Sequence, residues 1–454
     1  MHRFTTETDA IAQAVVGYAL DRIKMDPPPL DGPATLEELR AAAGETITAD
    51  GIGGEEALRV FADVLAPATL STDHPRNWAF VPAAPTEASV LFDLVVGASS
   101  IIGSTWIDGA GAIYAENQAI RWLLDLAGFP GSSGGVFVSG GSAGNLSALV
   151  TARDRAMRER QAAGRERPAR WTLAATEDAH SSVWSAAKVM DVDVLAVPTD
   201  ERARLTGEAL ENTLQQRAGD LDGLFAVVAT GGTTNAGIVD DLEGVRWVAQ
   251  RRGLWLHVDG AYGGAALAAP SARALFTGIE HADSVVIDPH KLLFAPFDCA
   301  ALLYRDPLVA ARAHMQEAAY LDEVTELENW NPSHYAYHLT RRVRGLPFWF
   351  SLATHGTAAY RDAVEAVLQL TREAADEIRG RDGLELLEEP EISVVLFKRD
   401  GWGEDRYLTW CDELLDTHTA FALPTTWHGE KVMRFCFVNP VTTIEDVRVV
   451  LDTM

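Results

Sequence analysis

The sequence predicts an α/β fold whose central sheet is mostly parallel, followed by a small α/β domain at the C-terminal end. Short apolar runs alternate with helical patterns through the middle of the chain, as they do where parallel strands are covered on both faces. Several of these runs end in polar motifs, and the ligands of such sheets bind at the carboxyl ends of the strands. The predicted strands span residues 136–138, 171–175, 192–197, 224–229, 254–258 and 284–287.

Two helical patterns precede this region. Apolar residues recur at helical spacing from Asp9 to Met25, and a second helix is predicted around Leu36 to Ala43. We expect residues 1–70 to form an N-terminal helical arm, which packs either on its own domain or on a neighbouring subunit. The large domain is then predicted to span residues 71–345, and the small C-terminal domain residues 346–454.

Further loops, helices and strands are predicted before and after the parallel strands. An irregular loop is predicted from Gly103 through Gly111, followed by a helix from Ala115 to Leu126. In the C-terminal domain, a long helix running to Arg379 precedes two strand patterns and a last helix. The two strand patterns cover residues 392–398 and 433–438, and the last helix covers residues 444–454.

The composition argues against several classes of binding partner. The 454 residues carry a formal net charge of −27, and so acidic a surface repels phosphate backbones and anionic lipids, which argues against nucleic acid or membrane partners. Cys299, Cys411 and Cys436 lie far apart, which argues against a disulfide framework and a clustered metal site. The first residues lack a signal-peptide pattern, and no apolar run has membrane-spanning length. We expect a cytoplasmic protein without a bound metal.

One lysine stands apart from the others. Only five of the 38 lysines and arginines are lysines, and Lys291 closely follows the apolar run 284–287. Burial disfavours an ammonium ion, so a lysine at the end of a buried strand is expected to have a lowered pKa and a neutral amine that attacks an aldehyde. Taken alone, the same pattern also fits a strand-terminal lysine whose amine reaches water.

A glycine-rich turn follows the predicted strand 136–138. Residues 139–145 read Ser-Gly-Gly-Ser-Ala-Gly-Asn and lead into a helix, so free backbone N–H groups and the positive end of a helix dipole meet there. This arrangement predicts a phosphate site. The same residues also match the G-x-S-x-G nucleophile elbow of serine hydrolases, in which Ser142 would be the nucleophile.

Four predicted strand ends offer complementary groups: the turn at 139–145, the imidazole of His180, the carboxylate of Asp259 and the amine of Lys291. Pyridoxal 5′-phosphate (PLP) needs this set, because its aldehyde condenses with an amine and a carboxylate keeps its ring nitrogen protonated. We expect His180 to stack on one face of the ring while Ala261 packs on the other. The sequence therefore predicts a PLP site.

These motifs resemble the group II PLP-dependent amino acid decarboxylases, the relatives of aromatic-L-amino-acid and glutamate decarboxylases. The resemblance runs from about His74 to the C-terminus. It implies an aspartate-aminotransferase-like fold (fold type I of the PLP-dependent transferases), carboxy-lyase activity and a homodimer with active sites at the interface. Its most specific parts are Ser139-Gly140-Gly141-Ser142, His180, Thr230-x-x-Thr233-Thr234, His257-Val258-Asp259-x-Ala261 and Pro289-His290-Lys291.

The resemblance also implies roles for individual residues. The implied cofactor-binding residues are Gly140, Gly141, Ser142, His180, Thr230, Asp259, Ala261, Asp288, His290 and Lys291. The implied catalytic residues are Lys291, His180, Asp259 and Tyr335. The implied substrate-binding residues are Phe80, Val81 and Pro82, with Ile102 and Ser104 reaching in from the other subunit.

The sequence departs from the family pattern in three places. Asp288 stands where some relatives carry asparagine, and Leu292 stands where tryptophan is common. Relatives also carry a tyrosine that delivers a proton to Cα. Counting back from Arg341 puts the matching position near Asn331-Pro332, and Tyr335 and Tyr337 are close to it but off register. Tyr335 is the candidate for the catalytic role. Relatives that lack this tyrosine can release an aldehyde instead of an amine.

The resemblance implies decarboxylation of an L-amino acid to CO₂ and an amine. Phe80, Trp78 and Pro82 favour an aromatic substrate, whereas Arg76 would instead pair with the side-chain carboxylate of aspartate or glutamate. Three further alternatives are open: an aldehyde synthase that acts by decarboxylation, a serine hydrolase that uses Ser142, and a PLP-binding protein without turnover.

Overall fold

The computed structural model describes residues 2–217, 219, 221–316 and 330–454. The α-helices are α1 (Thr6–Ile23), α2 (Leu36–Ala43), α3 (Gly54–Val60), α4 (Glu87–Ser99), α5 (Trp106–Leu126), α6 (Gly141–Ala162), α7 (Ser181–Met190), α8 (Gly207–Gln216), α9 (Leu242–Arg252), α10 (Pro307–His314), α11 (Leu346–Arg379), α12 (Glu404–Asp416) and α13 (Ile444–Leu451). The strands are β1 (Gly134–Val138), β2 (Thr172–Thr176), β3 (Asp193–Val197), β4 (Leu224–Thr230), β5 (Trp255–Asp259), β6 (Ser284–Ile287), β7 (Ala300–Tyr304), β8 (Leu384–Leu386), β9 (Val394–Arg399), β10 (Leu423–Trp427) and β11 (Glu430–Cys436).

A seven-stranded sheet with the order β1-β7-β6-β5-β4-β2-β3 forms the centre of the larger part of the molecule. The pairs from β6 to β3 are parallel, and β7 runs antiparallel to both its neighbours, β1 and β6. The prediction of a mostly parallel sheet is confirmed, and each predicted strand is present within about two residues. The sequence reasoning missed β7.

The seven-stranded sheet is covered on both faces. Along β4, Val227 and Ala229 belong to one apolar cluster, whereas Ala226 and Val228 belong to another. Successive side chains of a strand point to opposite faces, so these two clusters lie on the two sides of the sheet. This explains why the strands are nearly continuous apolar runs.

The C-terminal part contains a second sheet with the order β10-β11-β9-β8, whose pairs are antiparallel. The two strands predicted there correspond to β9 and β11. Helix α11 packs against α4 and α5 at one end of the molecule and against β8, β9 and α13 at the other. The domain limits 1–70, 71–345 and 346–454 remain predictions.

The irregular loop predicted from Gly103 through Gly111 is wrong beyond residue 105, because α5 begins at Trp106. The hydroxyl of Thr105 donates to the carboxylate of Asp108 at 2.6 Å and supports this helix start. Gly109 interrupts the helix with φ −147° and ψ 33°, and a Cβ there would lie 2.6 Å from the carbonyl oxygen of Ile102. The glycine therefore allows a close backbone contact inside the helix.

Helix α1 of the predicted arm has no buried residue. It contacts α3, and the Arg22 guanidinium near its end pairs with Asp73 at 2.8 Å. Val15, Val16 and Leu20 are exposed on it. Within the residues that the structure describes, no helix is long and apolar enough to cross a membrane.

Candidate functional site

A cavity of about 290 Å³ lies at the edge of the seven-stranded sheet where β1, β4, β5 and β6 end. Every residue predicted to bind the cofactor lines it. The lining residues are Ser139, Gly140, Gly141, Ser142, Asn145, His180, Ser182, Thr230, Gly232, Thr234, Asp259, Ala261, Tyr262, Asp288, His290, Lys291 and Phe297. The chain thus brings the predicted cofactor groups to one place.

The first turn of α6 borders this cavity at the end of β1. A Cβ at Gly140 would point into open space, and a Cβ at Gly141 would lie 2.8 Å from the Ala261 side chain. The backbone N–H of Gly141 donates to Asp288 Oδ2 at 3.2 Å. The turn therefore leaves room beside the N–H groups of a helix N-terminus, which suits a phosphate.

Lys291 follows β6 and reaches the cavity with its amine. Its Nζ lies 3.0 Å from Asp288 Oδ2. Burial alone lowers the pKa of Lys291, but the Asp288 carboxylate, helped by Asp259, outweighs burial, so that the pKa is raised. The expectation of a lowered pKa and a neutral amine is therefore wrong for this chain, because a buried carboxylate lies beside the lysine.

Asp259 ends β5 and is buried. Both of its carboxylate oxygens accept hydrogen bonds: Oδ2 from Asn145 Nδ2 at 2.7 Å and Oδ1 from the backbone N–H of Ala261 at 3.1 Å. These two contacts fix the orientation of the carboxylate at the cavity wall. Thr230 ends the neighbouring strand β4, and its backbone N–H donates to Asp240 Oδ2 at 2.6 Å.

Two histidines line the cavity. His180 precedes α7, and its Nδ1 accepts the backbone N–H of Ser182 at 3.2 Å. His290 Nδ1 accepts the backbone N–H of Cys299 at 3.0 Å, and burial lowers the pKa of His290. The His290 ring lies 4.9 Å from the ring of Phe297, measured between centroids.

The predicted substrate-binding residues do not line the cavity of their own chain. Phe80 is 65% exposed and has a positive φ of 53°, and Ile102 is 40% exposed. Ser104 is buried, and its carbonyl accepts the backbone N–H of Ser333 at 3.0 Å. This placement is compatible with the predicted contribution of Ile102 and Ser104 to the site of another subunit, which stays a prediction.

Tyr335 is also absent from the described residues that line this cavity. It is 6% exposed, and its ring stacks on Trp330 at a centroid distance of 4.2 Å. Burial raises the pKa of Tyr335 to about 12. A proton donor must reach the reacting carbon, so the predicted catalytic role of Tyr335 requires a site outside its own chain's cavity and remains a prediction.

Sequence reasoning left several lining residues without a role. Tyr262 directly follows the Asp259-x-Ala261 motif, and Ser182 lies two residues after His180, so both were within reach of motif reading. Phe297 gave no such signal, because it returns to the cavity through the irregular segment that joins Lys291 to β7.

The lining residues fit PLP. Asp288 Oδ1 is buried without a hydrogen-bond partner among the described residues, so a bound group can use this acceptor. The α6 turn supplies donors for a phosphate, Lys291 an amine for an aldehyde, and Asp259 a carboxylate for a protonated ring nitrogen. No group of three metal-binding side chains occurs within the described part of the chain.

Fold and cavity together define a PLP-dependent enzyme of fold type I. The chain matches the model of the pyridoxal-dependent decarboxylase conserved domain over residues 52–400, and it belongs to that family. It is therefore a PLP-dependent carboxy-lyase that acts on an amino acid, as the sequence predicted.

Individual relatives agree on decarboxylation and differ in substrate. The chain is 31% identical over 421 residues to an aromatic-L-amino-acid decarboxylase of Bacillus atrophaeus, covering 90% of this chain and 86% of that protein. It is 28% identical over 438 residues to an L-2,4-diaminobutyrate decarboxylase of Acinetobacter baumannii, covering 91% and 86%. The structure of Oryza sativa TDC with PLP and tryptamine superposes with a TM-score of 0.91 at 24% identity, covering 100% and 98%. This last likeness shows the fold.

The serine-hydrolase alternative is wrong. Ser142 lies in the first turn of α6, without the left-handed backbone of a nucleophile elbow. The two cavity histidines bond elsewhere, His180 to Ser182 and His290 to Cys299. Membership of a decarboxylase family also sets aside a PLP-binding protein without turnover.

Proposed function

We propose that this enzyme removes the α-carboxylate of an aromatic L-amino acid and releases CO₂ and the corresponding amine. The observation that carries the proposal is that the cavity wall beside the cofactor-binding residues contains an aromatic ring and few basic side chains. Phe297 lines it and is half exposed, and Lys291 is the only lysine or arginine among the described lining residues. An aromatic side chain gains from burial beside such a ring.

This cavity wall offers fewer favourable contacts to a substrate with an acidic side chain. Arg76, the candidate partner for a side-chain carboxylate, is not among the described residues that line the cavity. Its Nε lies 3.8 Å from Asp446 Oδ1 instead. The Lys291 ammonium is paired with Asp288. A second carboxylate would therefore enter without a free cation from these residues, at a desolvation cost.

The residues of the cavity take the following roles in the proposal. The first turn of α6 would hold the phosphate, Lys291 would bind the aldehyde, and Asp259 would keep a proton on the ring nitrogen. When bound, PLP supplies an electron sink for the bond that breaks on loss of CO₂. His180 would cover one face of the ring and Ala261 the other.

The proposal includes a homodimer. Helix α1 carries exposed apolar residues and no buried one, and α4 and α5 expose Leu94, Val95 and Ile107. A single chain rarely leaves so many large apolar side chains in water, so a second copy is the expected cover. Phe80 and Ile102 lie off the cavity of their own chain and are available to complete the site of the second copy.

A substrate panel tests the reaction. We expect CO₂ release from tyrosine, tryptophan or dopa, with little release from glutamate, aspartate or 2,4-diaminobutyrate. Turnover of one of the last three without turnover of the aromatic amino acids would overturn the proposed substrate class. Mixing a Lys291→Ala protomer with an Ile102→Trp protomer tests the shared site, since a hybrid dimer would regain one intact site.

A second candidate product is the aldehyde. The observation in its favour is the placement of Tyr335, which is stacked on Trp330 away from its own cavity. Parallel assays of amine, aldehyde and hydrogen peroxide on the same aromatic substrate distinguish the two outcomes. We expect amine to match CO₂ mole for mole, and aldehyde with peroxide in its place would favour the second candidate.

A further inference from the structure

A continuous set of hydrogen bonds joins five buried side chains, three of which line the active-site cavity. Asn145 of α6 is its junction and is completely buried. Its Nδ2 lies 2.7 Å from Asp259 Oδ2 and 2.8 Å from Ser182 Oγ, and its Oδ1 lies 2.8 Å from His257 Nε2. His257 Nδ1 in turn lies 2.8 Å from Ser284 Oγ.

The Asp259 carboxylate fixes the direction of these hydrogen bonds. The Asp259 carboxylate can only accept, so the amide nitrogen of Asn145 must face it and the amide oxygen must face His257. His257 Nε2 therefore carries a hydrogen and donates. Burial lowers the pKa of His257 to about 4, so its ring is neutral at neutral pH and Nδ1 is an acceptor.

The opposite end agrees with this assignment. The indole Nε1–H of Trp255 can only donate, and it bonds Ser284 Oγ at 2.8 Å. The hydroxyl hydrogen of Ser284 is then free to donate to His257 Nδ1, which is the acceptor. The Asp259 carboxylate thus sets the direction, and the Trp255 donor is consistent with it.

A branch from Asn145 reaches His180. The second hydrogen of Asn145 Nδ2 points to Ser182 Oγ, which leaves the Ser182 hydroxyl to donate to His180 Nδ1 at 2.8 Å. The backbone N–H of Ser182 donates to the same nitrogen. With two donors on Nδ1, the imidazole proton of His180 lies on Nε2.

We propose that Asn145, oriented by His257, is a positioning residue that sets the orientation of the Asp259 carboxylate. Only a primary amide offers one acceptor and two donors at this junction; an alanine offers none and an aspartate no donor. Asp259 lines the cavity, so this buried side chain arranges a carboxylate that faces the cofactor site. The tautomer of His180 is fixed separately, because the backbone N–H of Ser182 donates to its Nδ1. The proposal does not depend on which amino acid is the substrate.

The experiment measures the dissociation constant of PLP for the apoprotein of each variant, which reports on Asp259. Urea unfolding shows which variants are folded. We expect Asn145→Ala to weaken PLP binding roughly tenfold, as loss of a hydrogen bond to a charged group implies.

Three further variants test the role of the amide. Ser182→Ala removes a hydrogen-bond partner of Asn145 and keeps the contact between Asn145 and Asp259, so the PLP dissociation constant should change by less than roughly twofold. His257→Leu leaves the Asn145 oxygen unpaired and should weaken PLP binding, whereas His257→Gln, whose amide can accept and donate, should restore it. A merely structural role for the set would lower stability without this pattern.

The proposal is overturned if folded Asn145→Ala binds PLP as tightly as the parent protein. Should Asn145→Ala not fold, the His257 variants decide, and equal PLP affinities in His257→Leu and His257→Gln would overturn it. Decarboxylase activity is not needed for any of these readouts, so failure of the proposed substrate class leaves the test intact.

Discussion

The amine of Lys291 is subject to two opposing effects. Burial disfavours its charged form, while Asp288 Oδ2 at 3.0 Å and the nearby Asp259 favour it, and the carboxylates prevail. The same Asp288 oxygen accepts the N–H of Gly141 in the α6 turn. Asp288 therefore links the state of the reactive amine to the phosphate side of the cavity.

Asp288→Asn should lower the pKa of Lys291, because burial then acts without the main opposing charge. We expect the midpoint of Lys291 reductive methylation in the apoprotein, followed by peptide mass spectrometry against pH, to move to lower pH. Lys398, which pairs with Glu385 at the surface, serves as an internal control in the same digest. An unmoved Lys291 midpoint would contradict the role of Asp288.

At the residue scale, motif reading reached the groups at strand ends and missed the groups between elements. Lys291, Asp259 and the turn at 139–145 were predictable because apolar runs end beside them. The pairing of Asn145 with His257 was not, because it joins a helix to a strand more than a hundred residues away. The raised pKa of Lys291 also depends on a distance that sequence spacing does not give.

Helix α6 lies close to β6 because residue 144 is glycine. A Cβ at this position would lie 2.6 Å from Val286 Cγ2, which is closer than carbon atoms pack. The start of α6 forms the phosphate side of the cavity, so the same contact also places that turn. The glycine thus links sheet packing to cofactor binding.

Gly144→Ala should lower the free energy of unfolding by roughly 1–3 kcal/mol, as overpacking does, and should weaken PLP binding. Gly111→Ala is the matched control. It lies in α5 with nothing within 4 Å of the added Cβ, and it should leave stability equal or raise it by up to about 1 kcal/mol. Urea unfolding measures both, and equal stabilities for the two variants would contradict the prediction.

A buried ion pair joins three segments of the chain. Arg341 Nη1 lies 2.8 Å from Glu116 Oε2 of α5 and donates to the carbonyl of Gly103 at 2.6 Å. The backbone N–H of Gly345 donates to Glu116 Oε1 at 2.8 Å. The loop that carries Ile102 is thereby attached to the start of α11.

Glu116→Ala leaves the Arg341 guanidinium buried without its counter-charge, which should cost roughly 3–5 kcal/mol of unfolding free energy. Glu385→Ala breaks an exposed pair with Lys398 and should cost at most about 1 kcal/mol. Denaturant unfolding of both variants provides the comparison. A Glu116→Ala cost no larger than that of Glu385→Ala would refute the anchoring role.

At the scale of secondary-structure elements, the sequence correctly predicted those elements that a single local pattern specifies. The parallel strands contain three to six consecutive apolar residues, and most of these runs end in a polar motif. Strand β7 was missed because its pairing with β1 and β6 is non-local and antiparallel. The start of α5 was missed because Gly109 and Gly111 indicated a loop, whereas the Thr105 and Asp108 contact begins a helix.

At the scale of the whole molecule, the two sheets share one apolar core. The larger cluster contains Val258 of β5 and Phe397 of β9, which belong to different sheets. Unfolding of one sheet would expose apolar surface of the other, so we expect the parts to lose structure together. A buried histidine in either part therefore contributes to the stability of the whole.

The molecule should lose stability as the pH falls from about 6.5 to about 4. Burial lowers the pKa of His257 from 6.5 to about 4, so in this window the unfolded chain binds more protons than the folded chain, and the free energy of unfolding decreases with decreasing pH. A shift of this size at a fully buried histidine corresponds to about 3 kcal/mol. Burial also lowers the pKa of His74 to about 4, which acts in the same direction.

Urea unfolding at a series of pH values measures this loss. His257→Gln cannot take up the proton, so its decrease between pH 6.5 and 4 should be smaller than that of the parent protein by about 3 kcal/mol. His355→Gln, which changes an exposed histidine, is the matched control. Equal decreases in the parent protein and His257→Gln would show that the acid sensitivity of the fold arises at other groups.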